Sequence, residues 1–390
     1  MSVEWLLWLL LPVAAWSGWF AATRSAKGAV SRPASGLRSE YVKGFNYLLN
    51  EQPDKALDTF IRALEVDSAT TETHLALGNL YRRRGEVDRA IRIHQNLIAH
   101  ETAGADARFD AVLELGQDYL SAGLLDRAED LFKELVEART HKLLALQHLI
   151  DIYEQEKDWP KAIVYAQAME AAGHGNMGLV IAHYWCELAE GQRQSEDHGK
   201  ALQSIGHSLD AHAKCARASL LQGDILQQQG KHGQAIASWR QVEEQDATYL
   251  PEVVPRLAKS AAVLRQEGEL AVYLRRLLDV HGGTTAMLAL AHLIEASEGA
   301  QAAAAFVREH LRRRPSVRGL HRLIELELKS APLASASQLQ VLLDLTEKLL
   351  SNRPVYQCND CGFPAKSLHW QCPGCKHWSS VKPIQGVEGE

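Results

Sequence analysis

GNLYRRRGEVDRAIRIH, residues 78–94, is the stretch whose reading decides the fold, because its landmarks return along the chain. Gly78, Tyr81, Ala90 and His94 stand 34 residues beyond Gly44, Tyr47, Ala56 and Phe60. A third copy carries Gly116, Tyr119, Ala128 and Phe132, after an insertion of four residues near Gly104. Tyr153, Ala162 and Ala166 follow 34 residues later. Past a longer junction, Trp185, Leu188, Ala189 and Ala201 open another copy. Gly223, Ala235 and Trp239 then follow, with Gly223 and Ala235 lying 34 beyond Ala189 and Ala201. Self-similarity at one fixed period marks a repeat architecture.

A period of 34 with a small residue, an aromatic, an alanine and a second aromatic at these offsets is the tetratricopeptide pattern in degenerate form. Its spacing has a mechanical reason. Each unit is a helix, a turn and a second helix, and the small residue on the first helix lets the second approach closely. The aromatic fills the groove beside it, and Gly85, Gly123 or Gly230 sits in the turn. A single unit cannot bury its apolar face, so units stack. Beyond residue 250 the landmarks fade, but 251–280, 284–313 and 316–350 still read as amphipathic helix pairs. The expectation is an all-α tetratricopeptide solenoid of eight or nine repeats over residues 40–350. The first helices of such a stack line a groove that grips other proteins. By the repeat geometry, Arg38, Asn79, Arg82, Arg83, Gln117 and Asp224 should point into it.

Composition agrees with this reading. Apolar residues make up 46% of the 390 and charged residues 23%, the balance of a folded chain. Strong helix formers abound, and period-two runs of β-branched residues are nearly absent. The net charge is −6, so no global positive field recruits nucleic acid. No Walker loop, G-x-S-x-G elbow or H-E-x-x-H occurs, and no catalytic constellation emerges. GHGNMG, residues 173–178, lies between helical repeats and reads as a turn rather than a phosphate cradle.

At the other end, WLLWLLLPVAAWSGWFAA, residues 5–22, contains no charge. About twenty apolar residues span a bilayer, and Trp5, Trp8, Trp16 and Trp19 stand where interfacial anchors stand. Residues 1–22 are therefore expected to be a transmembrane anchor rather than a signal peptide, since no basic n-region precedes them. Residues 23–39 form a basic linker with Arg24, Lys27, Arg32 and Arg38, and the positive-inside rule puts this flank and all that follows in the cytoplasm. A reducing compartment disfavours disulfides. Of the six cysteines, Cys186 and Cys215 read as small buried hydrophobes.

The remaining four form Cys358-x2-Cys361-x10-Cys372-x2-Cys375. Two such pairs can present four thiolates in a tetrahedron, the geometry that zinc or iron accepts from sulfur. Gly362 and Pro373-Gly374 permit tight turns whose backbone N–H groups point at the sulfurs. His369 and His377 are left as outer or solvent residues, and Phe363, Trp370 and Trp378 are expected to build a small apolar shell. A closed four-thiolate site has no open position for Lewis-acid catalysis, so stapling of residues 351–383 is the default role and electron transfer the alternative. Residues 384–390 would be a tail.

An N-terminal anchor, tetratricopeptide repeats and a C-x2-C-G…C-P-x-C knuckle together resemble the lipopolysaccharide assembly protein B family of Gram-negative bacteria. The resemblance runs from WLLWLLLPVAAW through the repeats to CNDCGF and WQCPGC. It implies a non-enzymatic inner-membrane adaptor that promotes degradation of the lipid A-committing deacetylase by the membrane-anchored AAA+ metalloprotease. It also implies that Cys358, Cys361, Cys372 and Cys375 ligate iron, with zinc chemically as suitable. The ten-residue gap between the pairs is shorter than in rubredoxins proper. A scaffold for lipopolysaccharide-synthesis enzymes and a rubredoxin-like redox protein are the competing readings. The knuckle is expected to pack against the last repeats and to cap or shape the groove.

Overall fold

The computed structural model describes residues 71–99, 105–173, 175–330, 332–351 and 353–390, together with Trp16 and scattered positions between 42 and 59. The anchor expected over 1–22 and Arg38 of the expected groove lie outside these, Trp16 apart, as does the insertion near Gly104. Among the described residues no helix is long and apolar enough to cross a membrane.

Two compact units divide the chain, one up to Ala145 and one from Leu146 to Glu390. In the first, α1 (Thr71–Arg83) pairs with α2 (Val87–Ala99), and α3 (Ala105–Ser121) pairs with α4 (Leu125–Ala138). The repeat signature explains how. A Cβ added to Gly78 would lie 2.2 Å from His94 Nε2, and one added to Gly116 would lie 2.7 Å from Phe132 Cε1. Ring and glycine are thus one packing unit, at an approach that a side chain in place of the glycine would block. Gly85 and Gly123 turn the chain between partners at φ 80° and 73°, a conformation that costs other residues strain.

Helix α5 (Lys142–Glu156) straddles the boundary, and the second unit continues through α6 (Trp159–Ala171), α7 (Gly178–Gln194), α8 (His198–Ala211), α9 (Ala216–Gln228) and α10 (His232–Arg240). A short α11 (Val242–Gln245) and a 3₁₀ turn (Ala247–Tyr249) lead into α12 (Leu250–Leu264). Then come α13 (Glu267–Val280), α14 (Thr284–Glu298), α15 (Ala300–Arg313), α16 (Val317–Ser330) and α17 (Leu333–Ser351). The pairs expected over 251–280, 284–313 and 316–350 are these last six helices. Gly223 meets Trp239 as Gly116 meets Phe132, its added Cβ falling 2.2 Å from the indole Nε1. Gly173 and Gly175 of GHGNMG, at φ 90° and 69°, turn the chain between α6 and α7, as expected. Where the turn glycine is missing, Lys157 and Glu196 take its left-handed conformation at φ 58° and 61°. Asp158 and Asp197 beside them cap α6 and α8, accepting from Lys161 N and Lys200 N.

After α17 the chain changes character. Strands β1 (Tyr356–Cys358), β2 (Pro364–Ala365) and β3 (Val381–Pro383) form an antiparallel sheet in the order β2-β1-β3. Tyr356 stands opposite Ala365 on one side and Pro383 on the other.

Candidate metal centre

The sheet and two turns bring the four cysteines together. Their sulfurs all lie within 4.8 Å of one another. Cys358 Sγ is 3.7 Å from Cys375 Sγ, and Cys361 Sγ is 3.6 Å from Cys372 Sγ. A tetrahedron with zinc–sulfur bonds of ~2.3 Å has edges of about 3.8 Å, so the donor set fits one tetrahedral ion. The turns aim backbone N–H groups at the sulfurs as expected: Asp360 and Cys361 toward Cys358, Phe363 toward Cys361, His377 toward Cys375. Burial opposes ionisation of Cys358, yet the Ser380 hydroxyl and those amides outweigh it and hold the thiol down to about 6. Cys361, on the exposed side, is helped by the Phe363 amide but pushed up to about 12 by burial and the other three sulfurs. Cys358 thus gives up its proton the more easily, while Cys361 and Cys375, raised by burial and neighbouring sulfurs, are the thiols that a bound cation would help to ionise.

His377 and His369 take the places expected of them. His377 Nδ1 is 2.8 Å from Asp360 Oδ2, both exposed, and His369 Nε2 is 3.5 Å from Ser367 Oγ. Phe363 and Leu368 pack against Cys358, Cys372 and Val381 as an apolar shell. The two tryptophans do not belong to that shell, which corrects the expectation. Trp378 stacks on His183 at 4.9 Å and meets Tyr184 and Trp159 edge-on. Trp370 packs on Tyr249 at 4.9 Å and against His183. The reason is chemical: an indole has a large apolar body and one donor, and so small a knuckle has neither the volume nor the acceptor.

The acceptor is Glu154 at the end of α5. Its carboxylate receives Trp378 Nε1 at 3.1 Å, Gln371 Nε2 at 3.0 Å and the Tyr184 hydroxyl at 2.6 Å. Arg217 of α9, its side chain 7% exposed, pairs with Glu187 and lies over both indoles at 5.8 and 6.0 Å. His183 Nε2 bonds Ser379 Oγ at 2.7 Å, and Tyr249 donates to the carbonyls of Ser379 and Val381. Further on, Tyr356 donates to Glu252, and Lys382 pairs with Asp246 and sits 4.0 Å over Tyr249. Glu390, its side chain 6% exposed, accepts from Thr285 N at 2.8 Å and pairs with Arg318.

The knuckle proper therefore sits against the middle repeats, not the last ones, while Val387 and Glu390 reach α14 and α16. Glu154, Tyr184, Arg217, Glu252, Thr285 and Arg318 belong to the first helices of successive pairs, stepping by about one repeat. They form the stripe that lines the first-helix groove, and the chain's own knuckle fills it. Sequence reading missed these residues. A charged or polar residue returning at one register was the available signal.

Of the expected groove residues, Asn79, Arg82 and Gln117 come together. Arg82 donates to Asn79 Oδ1 and Gln117 Oε1 at 2.9 Å each, and pairs with Glu114 at 2.6 Å and Asp118 at 2.8 Å. Asp118 is fully buried and also bonds His94 Nδ1 at 2.5 Å. Arg82 thus links α1 to α3. Arg83 is exposed, and Asp224 is held by Arg256, which also pairs with Glu252. Cys186 and Cys215 are buried, as expected.

Paired helices of one repeat length, closed by a four-thiol knuckle seated in their own groove, define a tetratricopeptide protein with a rubredoxin-type appendix. Tetratricopeptide repeat families match residues 73–107, 113–176 and 186–249, and the family described as Rubredoxin metal binding domain matches residues 356–383. The chain is 39% identical over 385 residues to lipopolysaccharide assembly protein B of Escherichia coli K12, covering 98% of this chain and 99% of that one. It is 33% identical over 393 residues to the Haemophilus influenzae Rd protein of the same name, with 98% and 99% covered. It belongs to the lipopolysaccharide assembly protein B family. Among solved structures, Naa15/Naa10 bound to HypK-THB is similar with a TM-score of 0.41 at 14% identity, over 81% of this chain and 51% of that chain. MamA is similar with a TM-score of 0.29 at 20% identity, over 44% and 95%.

Proposed function

We propose that this chain is an inner-membrane adaptor that regulates lipopolysaccharide synthesis without catalysing a reaction. The observation that carries this reading is 39% and 33% identity, over 98% of the chain, to proteins named for lipopolysaccharide assembly. Residues 1–22 anchor it, 23–39 lie at the membrane surface, and the repeats of 40–350, the knuckle of 351–383 and the tail of 384–390 face the cytoplasm. Cys358, Cys361, Cys372 and Cys375 hold one ion, iron or zinc, which staples the knuckle.

The adaptor brings the lipid A-pathway deacetylase to the membrane-anchored AAA+ metalloprotease. Confinement to one membrane surface raises effective concentration without strong contacts. Because the knuckle occupies the groove of the second unit, the client face in this reading is the first-helix side of the first unit, around Asn79, Arg83 and Gln117. The word "assembly" in the relatives' name favours a second reading, a scaffold that gathers lipopolysaccharide-synthesis enzymes. Depleting the chain and following the deacetylase by pulse-chase separates the two. A lengthened half-life supports the adaptor; unchanged turnover refutes it. Removing residues 1–22 should abolish most of the effect at native abundance.

A further inference from the structure

The knuckle is seated by groups that lie next to its cysteines. Gln371, held by Glu154, precedes Cys372, and it bridges to Trp378, held by the same carboxylate. Ser379, gripped by His183 and Tyr249, has φ 54°, a left-handed backbone that only its surroundings can enforce. Its neighbour Ser380 lies 3.3 Å from Cys358 Sγ, donates to His377 O at 3.0 Å, and accepts from Asn359 N at 2.8 Å. The His377 carbonyl in turn accepts from Cys372 N at 2.9 Å. Cys358 lies in β1, two residues from Tyr356, which reaches Glu252. Cys358 and Cys372 are thus each within a few bonds of a group clamped by the solenoid. Only Cys361 stands on the exposed side.

The knuckle has little else to hold it together. Its buried apolar side chains are Ala365, Val381, Pro383 and the cysteines Cys358 and Cys372. So small a core does not order a segment of this size by itself. Order must come from a metal ion and from the seat.

We propose that Glu154, His183 and Tyr249 are positioning residues for the metal site, so that seating of the knuckle in the groove and metal retention by the four cysteines strengthen one another. The inference rests on the reading that these cysteines hold a metal ion. Linkage makes the coupling reciprocal: whatever factor the seat adds to metal affinity, the metal adds to the seat. A chain that loses its ion uncovers the stripe from Glu154 to Glu252, and a chain whose seat is broken loses its ion sooner.

The test uses the full chain loaded with Co²⁺, whose thiolate absorption reports the ligand set, and challenged with a chelator. Glu154→Gln and His183→Phe should each speed Co²⁺ release by roughly tenfold, and Tyr249→Phe, which loses one hydroxyl, by roughly two- to threefold. Hydrogen exchange over residues 377–383 ranks the same variants by loss of seating. Release rates that follow that ranking support the coupling, while variants that exchange freely yet release Co²⁺ at the unaltered rate overturn it. If a variant fails to fold, Tyr249→Phe alone must still show the paired change. Failure of the unsubstituted chain to bind Co²⁺ through sulfur would instead sink the metal reading itself.

Discussion

Gly223→Ala adds one methyl group to α9, and the packing decides its cost. The new Cβ would fall 2.2 Å from Trp239 Nε1 and 2.4 Å from Cδ1. Ordinary contact begins near 3.4 Å, so the indole must retreat by more than 1 Å. Trp239 has nowhere to go: it is fully buried, and its N–H donates to Leu220 O at 3.2 Å. Overpacking of this kind costs roughly 1–3 kcal/mol, and loss of the indole hydrogen bond about 1 more. Alanine in a helix interior returns about 1 kcal/mol. The net loss is about 1–3 kcal/mol, or roughly 2–4 °C in Tm for each kcal/mol in a unit of this size. Gly206→Ala in α8 is the control, because its added Cβ meets nothing within 4 Å, and it should raise Tm slightly. Thermal unfolding of both variants, followed by tryptophan fluorescence, makes the comparison. A Gly223→Ala protein as stable as Gly206→Ala would refute the ring-against-glycine account of the repeat.

Lys157→Gly and Glu196→Gly should each stabilise by about 0.5–1 kcal/mol, measured as a rise in Tm, since left-handed strain of about 1–2 kcal/mol is relieved against glycine's greater freedom when unfolded. His183 is held well below the usual imidazole value of 6.5 by its burial, then by Arg217, His212 and Lys382. Its stabilising contribution is therefore complete above about pH 6.5 and fades as the pH falls below that value, where the unfolded imidazole takes up a proton first. Unfolding midpoints between pH 7.5 and 5 should show this acid limb, and His183→Phe should flatten it. Cys372→Ser with Cys375→Ser should abolish metal binding, read by elemental analysis, and deprotect residues 356–383 to hydrogen exchange while α1 to α4 keep their protection.

The repeats were legible because their physics is local. A glycine facing a ring across one turn recurs at a fixed interval, and Gly78–His94, Gly116–Phe132 and Gly223–Trp239 obey it in the structure as in the chain. The four cysteines were legible for the same reason, their spacing being their geometry. The docking of the knuckle was not. Trp370 and Trp378 lie beside the cysteines in sequence, so they read as a local shell, whereas their partners Glu154, His183 and Tyr249 belong to three separate helical elements. The expected groove residue Arg82 carried the right charge at the right register. It serves the α1–α3 contact through Glu114 and Asp118, and nothing in its own neighbourhood of sequence marks those acids as its partners.

The contact between Glu154 and Trp378 spans 224 residues, and that distance has a consequence during synthesis. At ribosomal rates of about 5–20 residues per second, Glu154 waits roughly 10–45 s for its indole to be made. As that interval runs, Tyr184, Arg217 and then Tyr249 are added to the nascent chain without the indoles that cover them in the finished protein. Chaperones that recognise aromatic surface have a window there, and it closes when translation delivers the last strand.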